Sequence, residues 1–476
     1  MKKCHLSWPP TFVQCSRLSV LGLLAPPLYR KCDRARLGQI DSGMQVETAR
    51  QLSAETLLSG ETMRSVRWTV TLAASLGWFF DAYVITIYGL TIPLIAADFQ
   101  VATNLLSGLV GSIFLVGYTI GTITFGVCGD RFGRRIMLGI SVIGYGVVTA
   151  LTALAGGVGS LAAFRFLTGV GGGGELSIGS PYVTEVWGRN SRSIGIGTMF
   201  AFYPLGYLFS ILIFRLVTPV WGWRAVFLFS LIPALLILAM RIRLEESPRF
   251  SAVLSELRRT NSRRVGVIEA SRDATFRRRV FVGFLIFISL TYAFYAMAFY
   301  IPAYVVNKYH LDPATGAIVV PIFFEIGGLI GALAGGFAGD LIGRVRPAIT
   351  VALLGIAIIF LWWGIEWSLP AFCLMAACGG FVIGFEWTLG IIYVNEQFPT
   401  EIRASGFGWS VGLGRIVSIA APVVTQALAN SIGVAHAIQL SSFIWLFLIV
   451  GYWISDETRG SEITDRVART SVQQNE

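Results

Sequence analysis

Gly126-Val-Cys-Gly-Asp130-Arg131-Phe-Gly133-Arg134-Arg135 stands between two long apolar runs, and Gly336-Phe-Ala-Gly-Asp340-Leu-Ile-Gly343-Arg344 stands between two others 210 residues later. The spacing extends outward from this pair. Glu185 and Arg192 return as Glu396 and Arg403, Glu175 as Glu386, Tyr182 as Tyr393, Gly195 and Gly197 as Gly406 and Gly408, and Glu246 as Glu457, each 211 residues on. Chance does not hold one offset over so many polar positions, so the chain reads as a duplication. Two parallel halves related by an axis along the membrane normal can rock about a site between them.

The composition supplies the membrane. The 476 residues are 54% hydrophobic and only 13% charged, with mean hydropathy +0.68. A span needs roughly 20 apolar residues. Runs of that kind fall at about 69–95, 105–125, 136–154, 162–183, 199–217, 225–240, 280–305, 317–337, 348–363, 371–394, 407–428 and 437–454. They are continuous rather than alternating, and lipid offers the backbone no hydrogen-bond partner, so each is expected to be a helix. The expected class is an all-α integral membrane protein of twelve spans in two six-helix halves.

The expected organisation is a tail over 1–68, a six-helix bundle over 69–240, a basic linker over 241–279, a second bundle over 280–455 and a tail over 456–476. The apolar stretch Leu18–Leu24 is too short to span. The linker carries eleven Arg and five acidic residues. The net charge of +10 sits between apolar runs, as the positive-inside rule requires, and argues against nucleic-acid binding. Arg placement puts both termini and the linker in the cytoplasm, and the expected location is a bacterial inner membrane. Trp362, Trp363 and Trp367 fall where an aromatic belt at the outer interface belongs. The six cysteines lack metal-ligand spacing, and neither a structural disulfide nor a metal or cofactor is expected. Gly169-Val-Gly171-Gly-Gly-Gly174 matches a dinucleotide fingerprint but lies inside an apolar helix, where small residues permit close helix contact.

These motifs resemble the major facilitator superfamily over about residues 69–465. Gly126-x-x-x-Asp130-Arg131-x-Gly133-Arg134-Arg135 is similar to its loop signature between spans two and three. Arg165, Glu185, Arg192, Glu246-Ser-Pro-Arg249, Glu396-x-Phe-Pro-Thr-Glu-x-Arg403 and Glu457-Thr-Arg-Gly460 resemble the sugar-porter pattern. Gly173-Gly174-Glu175 looks like the metabolite:proton symporters, and Phe80-Asp81-Ala-Tyr83 with Gly414-Arg415 like the aromatic-acid:proton symporters. That last group commonly carries a second acid in span one, where this chain has Val84. The sugar-binding signatures of span seven are absent from Leu290-Thr-Tyr-Ala-Phe-Tyr-Ala.

Charges inside a span cost several kcal/mol and mark functional candidates. Asp81, roughly 20 Å deep in span one, is the expected proton carrier, with Arg165 or Glu175 to modulate it and Glu175 or Glu325 as the next candidate for the proton itself. Glu386 and Arg415 lie roughly 15 Å and 12 Å from the arginine-rich end. They are expected either to meet as a buried pair or to leave Arg415 free to bind a carboxylate. Tyr292, Tyr295 and Phe299 line one face of span seven, either for helix packing or to stack on a ring-shaped substrate, and Tyr83 is a further candidate to bind substrate. Asp130, Arg131, Arg134, Arg135, Glu185, Arg192, Glu246, Asp340, Arg344, Glu396, Arg403 and Glu457 are expected to gate the cytoplasmic mouth by pairing when the halves close. The resulting expectation is a monomeric proton-coupled symporter of a small organic acid, with protons, the substrate and the bilayer as its partners. A sugar or polyol transporter and a non-transporting receptor on a transporter scaffold are the alternatives. No nucleophile–base set suggests an enzyme.

Overall fold

The computed structural model describes residues 61–261, 263–298 and 301–461. The expectations for residues 1–60, Phe299 and 462–476 lie outside the described residues.

The first half comprises α1 (Glu61–Phe99), α2 (Gly111–Phe132), α3 (Arg134–Leu151), α4 (Val158–Val186), α5 (Arg192–Phe229) and α6 (Leu231–Arg241). A linker helix, α7 (Pro248–Thr260), follows. The second half comprises α8 (Ala274–Ala298), α9 (Ile301–Tyr309), α10 (Pro313–Leu341), α11 (Val345–Gly364), α12 (Leu369–Gln397), α13 (Arg403–Ser418), α14 (Ala421–Ile432), α15 (Val434–Ser441) and α16 (Trp445–Trp453).

Ten helical stretches among the described residues are long and apolar enough to cross a bilayer. One of them, Arg192–Arg241, is 50 residues long and breaks at Gly222, whose φ of 73° favours glycine. Arg224, just past the break, pairs with Asp98 at the far end of α1, whereas Arg241 bonds Leu138 near the start of α3. The chain therefore crosses and returns within this stretch. Helix α4 has 29 residues but is diluted by glycines, Arg165 and Glu175. With these two readings the described residues are consistent with twelve crossings.

Helix α3 shows why the outside is apolar. Its buried face holds Ser141, Tyr145 and Thr149, while Ile136, Ile140, Ile143 and Val147 are exposed. That pattern suits a helix whose outer solvent is lipid. Close packing inside each half uses glycine. A Cβ on Gly121 would come within 2.0 Å of the Val170 carbonyl oxygen, and one on Gly331, 210 residues on, within 2.0 Å of the Phe381 carbonyl oxygen. The duplication thus reaches the α2–α4 and α10–α12 interfaces, where backbone meets backbone.

Two expectations change. Trp362 and Trp363 are buried and pack on Phe372, with Trp363 also against Tyr304, so they form part of the interior and no outer belt. Residue 241 opens no polar linker, because Arg241 is buried at the end of α6 and paired with Glu175. The linker itself contains α7. Ser247 accepts a hydrogen bond from the Phe250 N–H, Pro248 starts the helix, and Asn261 ends it with φ of 51°. Phe250 then packs beneath the Arg134 guanidinium, 4.1 Å from carbon to ring centre.

Candidate functional site

A cavity of about 40 Å³ lies between the halves. Helix α1 gives it Trp78 and Asp81, α5 gives Phe200, Tyr203 and Pro204, and α8 gives Thr291, Phe294 and Tyr295. Helix α10 adds Phe324 and Glu325, α12 adds Ile383 and Trp387, and α13 adds Arg415. Its charged lining is thus two carboxyl groups and one guanidinium. Its walls are aromatic. Phe200 stacks on Tyr203 at 6.1 Å and on Trp387 at 5.6 Å, Trp78 lies 5.3 Å from Tyr203, and Phe294 meets Tyr203 edge-on.

Tyr118 organises the polar corner. Its hydroxyl donates to Asp81 Oδ2 at 3.0 Å, and the Arg415 guanidinium lies over its ring at 3.9 Å. The Nε and Nη1 of Arg415 carry no hydrogen bond among the described residues. Stacking on the ring holds the planar fork in place while leaving N–H donors unsatisfied, as a carboxylate-binding guanidinium requires. Glu325 faces the same cavity from α10.

The structure brings Asp81, Glu325, Arg415 and Tyr295 together and separates the other candidates from them. Glu386 does not meet Arg415. It is fully buried on α12 outside the cavity lining, because Trp387, one residue on, takes the cavity-facing side. Glu175 is held by Arg241 through two bonds of 2.8 and 2.6 Å and accepts a third from Ser141. Arg165 is stacked between Tyr88 and Phe114, at 4.4 and 4.7 Å, and does not pair with Asp81. Tyr83 donates to the Val226 carbonyl oxygen inside the first half, and Tyr292 is turned away from the lining that Thr291 and Tyr295 join. Sequence reasoning missed Trp78, Phe200, Tyr203, Phe294 and Trp387. A signal existed, since Phe200, Tyr203 and Trp387 face Val411, Gly414 and Leu176 across the 211-residue offset, so the cavity is where the repeat breaks.

At the arginine-rich end the repeat is obeyed, and the halves are closed on each other. Asp130 accepts from the Ala404 and Ser405 N–H groups at the start of α13, and Asp340 accepts from Ser193 and Ile194 at the start of α5. Glu185 accepts from Arg134 of its own half at 3.0 Å and Arg403 of the other at 2.9 Å. Glu396 accepts from Arg344 at 2.9 Å and from Arg192 of the other half at 3.4 Å. The expected arginine partners of Glu246 and Glu457 are corrected. These acids cap helices, Glu246 accepting from the N–H groups of Arg134 and Arg135, and Glu457 from those of Arg344 and Val345. Each sits beneath a glycine with positive φ, Gly133 at 102° and Gly343 at 125°, where a Cβ would strike the carboxylate. Arg131 and Arg135 are exposed, and Arg135 donates to the Ile242 carbonyl oxygen, so neither joins the buried network.

The family model of the Major Facilitator Superfamily matches residues 74–362. The chain is 23% identical over 414 residues to the benzoate transport protein of Acinetobacter baylyi, covering 80% of this chain and 88% of that one. It is 25% identical over 426 residues to the niacin transporter NiaP of the same organism, covering 83% and 95%. Among solved structures it is similar to the proton:xylose symporter XylE, with a TM-score of 0.70 and 19% identity over 85% of this chain and 99% of that one. The duplicated halves, the shared mouth network and the family match together make this chain a member of the Major Facilitator Superfamily.

Proposed function

We propose that this protein carries a small aromatic carboxylate together with protons across a bacterial inner membrane by alternating access, with its arginine-rich end in the cytoplasm. The observation that carries the proposal is Arg415, a guanidinium with unsatisfied donors at the edge of a cavity walled by Trp78, Phe200, Tyr203, Phe294 and Trp387. A ring suits the walls and a carboxylate suits the fork. Benzoate and niacin, the cargo named for two relatives, have both parts. Among the described residues the lining holds no Asn or Gln, the residue types that a sugar's many hydroxyl groups call for.

Charge arithmetic supports proton coupling. An anion entering beside Arg415 also meets Asp81 and Glu325. With both acids ionised the cavity would hold three negative groups against one positive, at a cost the membrane interior magnifies. Protonation of Asp81 or Glu325 on substrate entry removes that excess, so substrate and proton travel together. Asp81 is the better placed of the two because Tyr118 ties it to the ring on which Arg415 rests. The mouth network closes the cytoplasmic side in this state, and its rupture opens the cavity inward.

Uptake into proteoliposomes of labelled benzoate, nicotinate, xylose and glucose, with and without an inward proton gradient, tests the reading. It expects gradient-driven accumulation of an aromatic acid, lost in Arg415→Gln. Accumulation of a sugar without any acid would overturn it.

A further inference from the structure

The two halves treat one buried acid differently. In the first half Glu175 on α4 is neutralised by Arg241 at the end of α6. The 211-residue offset carries Glu175 to Glu386 on α12 and Arg241 to Tyr452 on α16. The acid is kept and its cation is replaced by a phenol. Glu386 is fully buried, and neither of its carboxyl oxygens has a hydrogen-bond partner among the described residues. The buried Tyr452 hydroxyl also lacks one among the described residues. One turn along α12, a Cβ on Gly390 would lie within 3.0 Å of Leu290 and Ile286 and 3.9 Å from the Tyr452 hydroxyl, so the surroundings are otherwise aliphatic.

We infer that Glu386 with Tyr452 forms a second proton-binding site, outside the central cavity, in which Glu386 is a neutral carboxylic acid while the arginine-rich end is closed. An ionised carboxylate in an apolar interior needs a cation or several donors, and the alternative is to hold a proton. A metal cation would need a cage of oxygens. No group of three or more His, Cys, Asp or Glu side chains that could hold a metal ion occurs among the described residues. Tyr452, beside Gly390 one turn from Glu386, in turn faces Tyr393 at 4.9 Å between ring centres. Tyr393 donates to the Asp456 carbonyl oxygen at the arginine-rich end. The site therefore lies toward that end of the second half, apart from Asp81 and Arg415. The proton here does for the second half what Arg241 does for the first.

Infrared spectroscopy of the purified, reconstituted protein tests this without any transported substrate, so its outcome is separate from that of the transport assay. The wild type is expected to show a protonated-carboxyl carbonyl band at neutral pH that is missing from Glu386→Gln. Tyr452→Arg, which rebuilds the pair of the first half, is expected to abolish the same band and add a carboxylate one. Glu386→Gln, a neutral isostere, is expected to accumulate at wild-type levels. An unchanged carbonyl band in Glu386→Gln would overturn the inference. So would failure of Glu386→Gln to fold, since a protonated acid tolerates its amide.

Discussion

Glu185→Gln should unlock the arginine-rich end. Glu185 is fully buried and joins two guanidinium groups, Arg134 of its own half and Arg403 of the other. The bond to Arg134 lies within one half and is available whether the halves are closed or apart. The bond to Arg403 exists only when they close, so it alone biases the equilibrium. A hydrogen bond between charged, buried groups is worth about 1.5–3 kcal/mol. Losing it should shift the closed-to-open ratio at this end by roughly 10- to 100-fold. Glu396→Gln should shift it less, because its cross-half partner Arg192 stands at 3.4 Å. Glu246→Gln serves as the control, since among the described residues Glu246 accepts from the N–H groups of Arg134 and Arg135 in its own half and of Ser247. Spin labels at Phe132 and Ile342, both exposed at this end of the two halves, would report the separation as a distance distribution. Identical distributions for wild type and Glu185→Gln would refute the reasoning, as would an equal shift in Glu246→Gln.

Closure also depends on contact without charge. A Cβ on Gly126 would fall 2.4 Å from the Ala404 carbonyl oxygen of the other half, so Gly126→Ala should prop the same end open in the distance measurement while leaving the fold intact. Arg415→Lys keeps the charge but loses the fork, and should weaken binding of an aromatic acid at least tenfold in a direct binding assay. Adding Glu386→Gln should not rescue it, since the two groups do not meet. Burial alone would raise the carboxyl group of Glu457, but the N–H groups of Arg344, Val345, Arg459 and Thr458 outweigh it and hold the group below the usual range. Its contribution is therefore present above about pH 4, the value for an unfolded chain, and is lost as pH falls through the lower folded value. Melting in detergent should accordingly show Glu457→Gln less stable than wild type at pH 7, with the gap narrowing on acidification.

The duplication could be read from polar residues because loop and mouth positions in both halves meet the same demand. Asp130 and Asp340 each cap a helix of the opposite half, so the residue type is fixed by backbone N–H groups and repeats with them. Segment lengths were legible for a similar reason, since the bilayer sets them. The cavity was only partly legible. Asp81 and Arg415 stand out as charges in apolar runs, but an aromatic such as Phe200 or Trp387 looks like any other apolar residue in a lipid-soluble helix. Rotation about the helix axis decides its role, and a run that is apolar on every face carries little trace of that rotation. The same ambiguity misplaced Tyr83 and Tyr292. Depth alone leaves open whether Glu386 and Arg415 meet, and the turn of their helices decides against it. Position alone puts Trp362 and Trp363 at the outer interface, but tertiary packing with Phe372 claims them.

The central claim, that an aromatic carboxylate and a proton cross together through the Asp81–Arg415 cavity, is tested most directly by measuring both fluxes at once. Proteoliposomes holding a pH-reporting dye would be given labelled benzoate or nicotinate at equal internal and external pH. The account predicts that acid uptake alkalinises the outside and acidifies the lumen in proportion. It also predicts that Asp81→Asn retains exchange of labelled for unlabelled acid while losing the linked proton flux. Uptake of the acid with no proton movement, or an Asp81→Asn variant that still accumulates acid against its gradient, would contradict it.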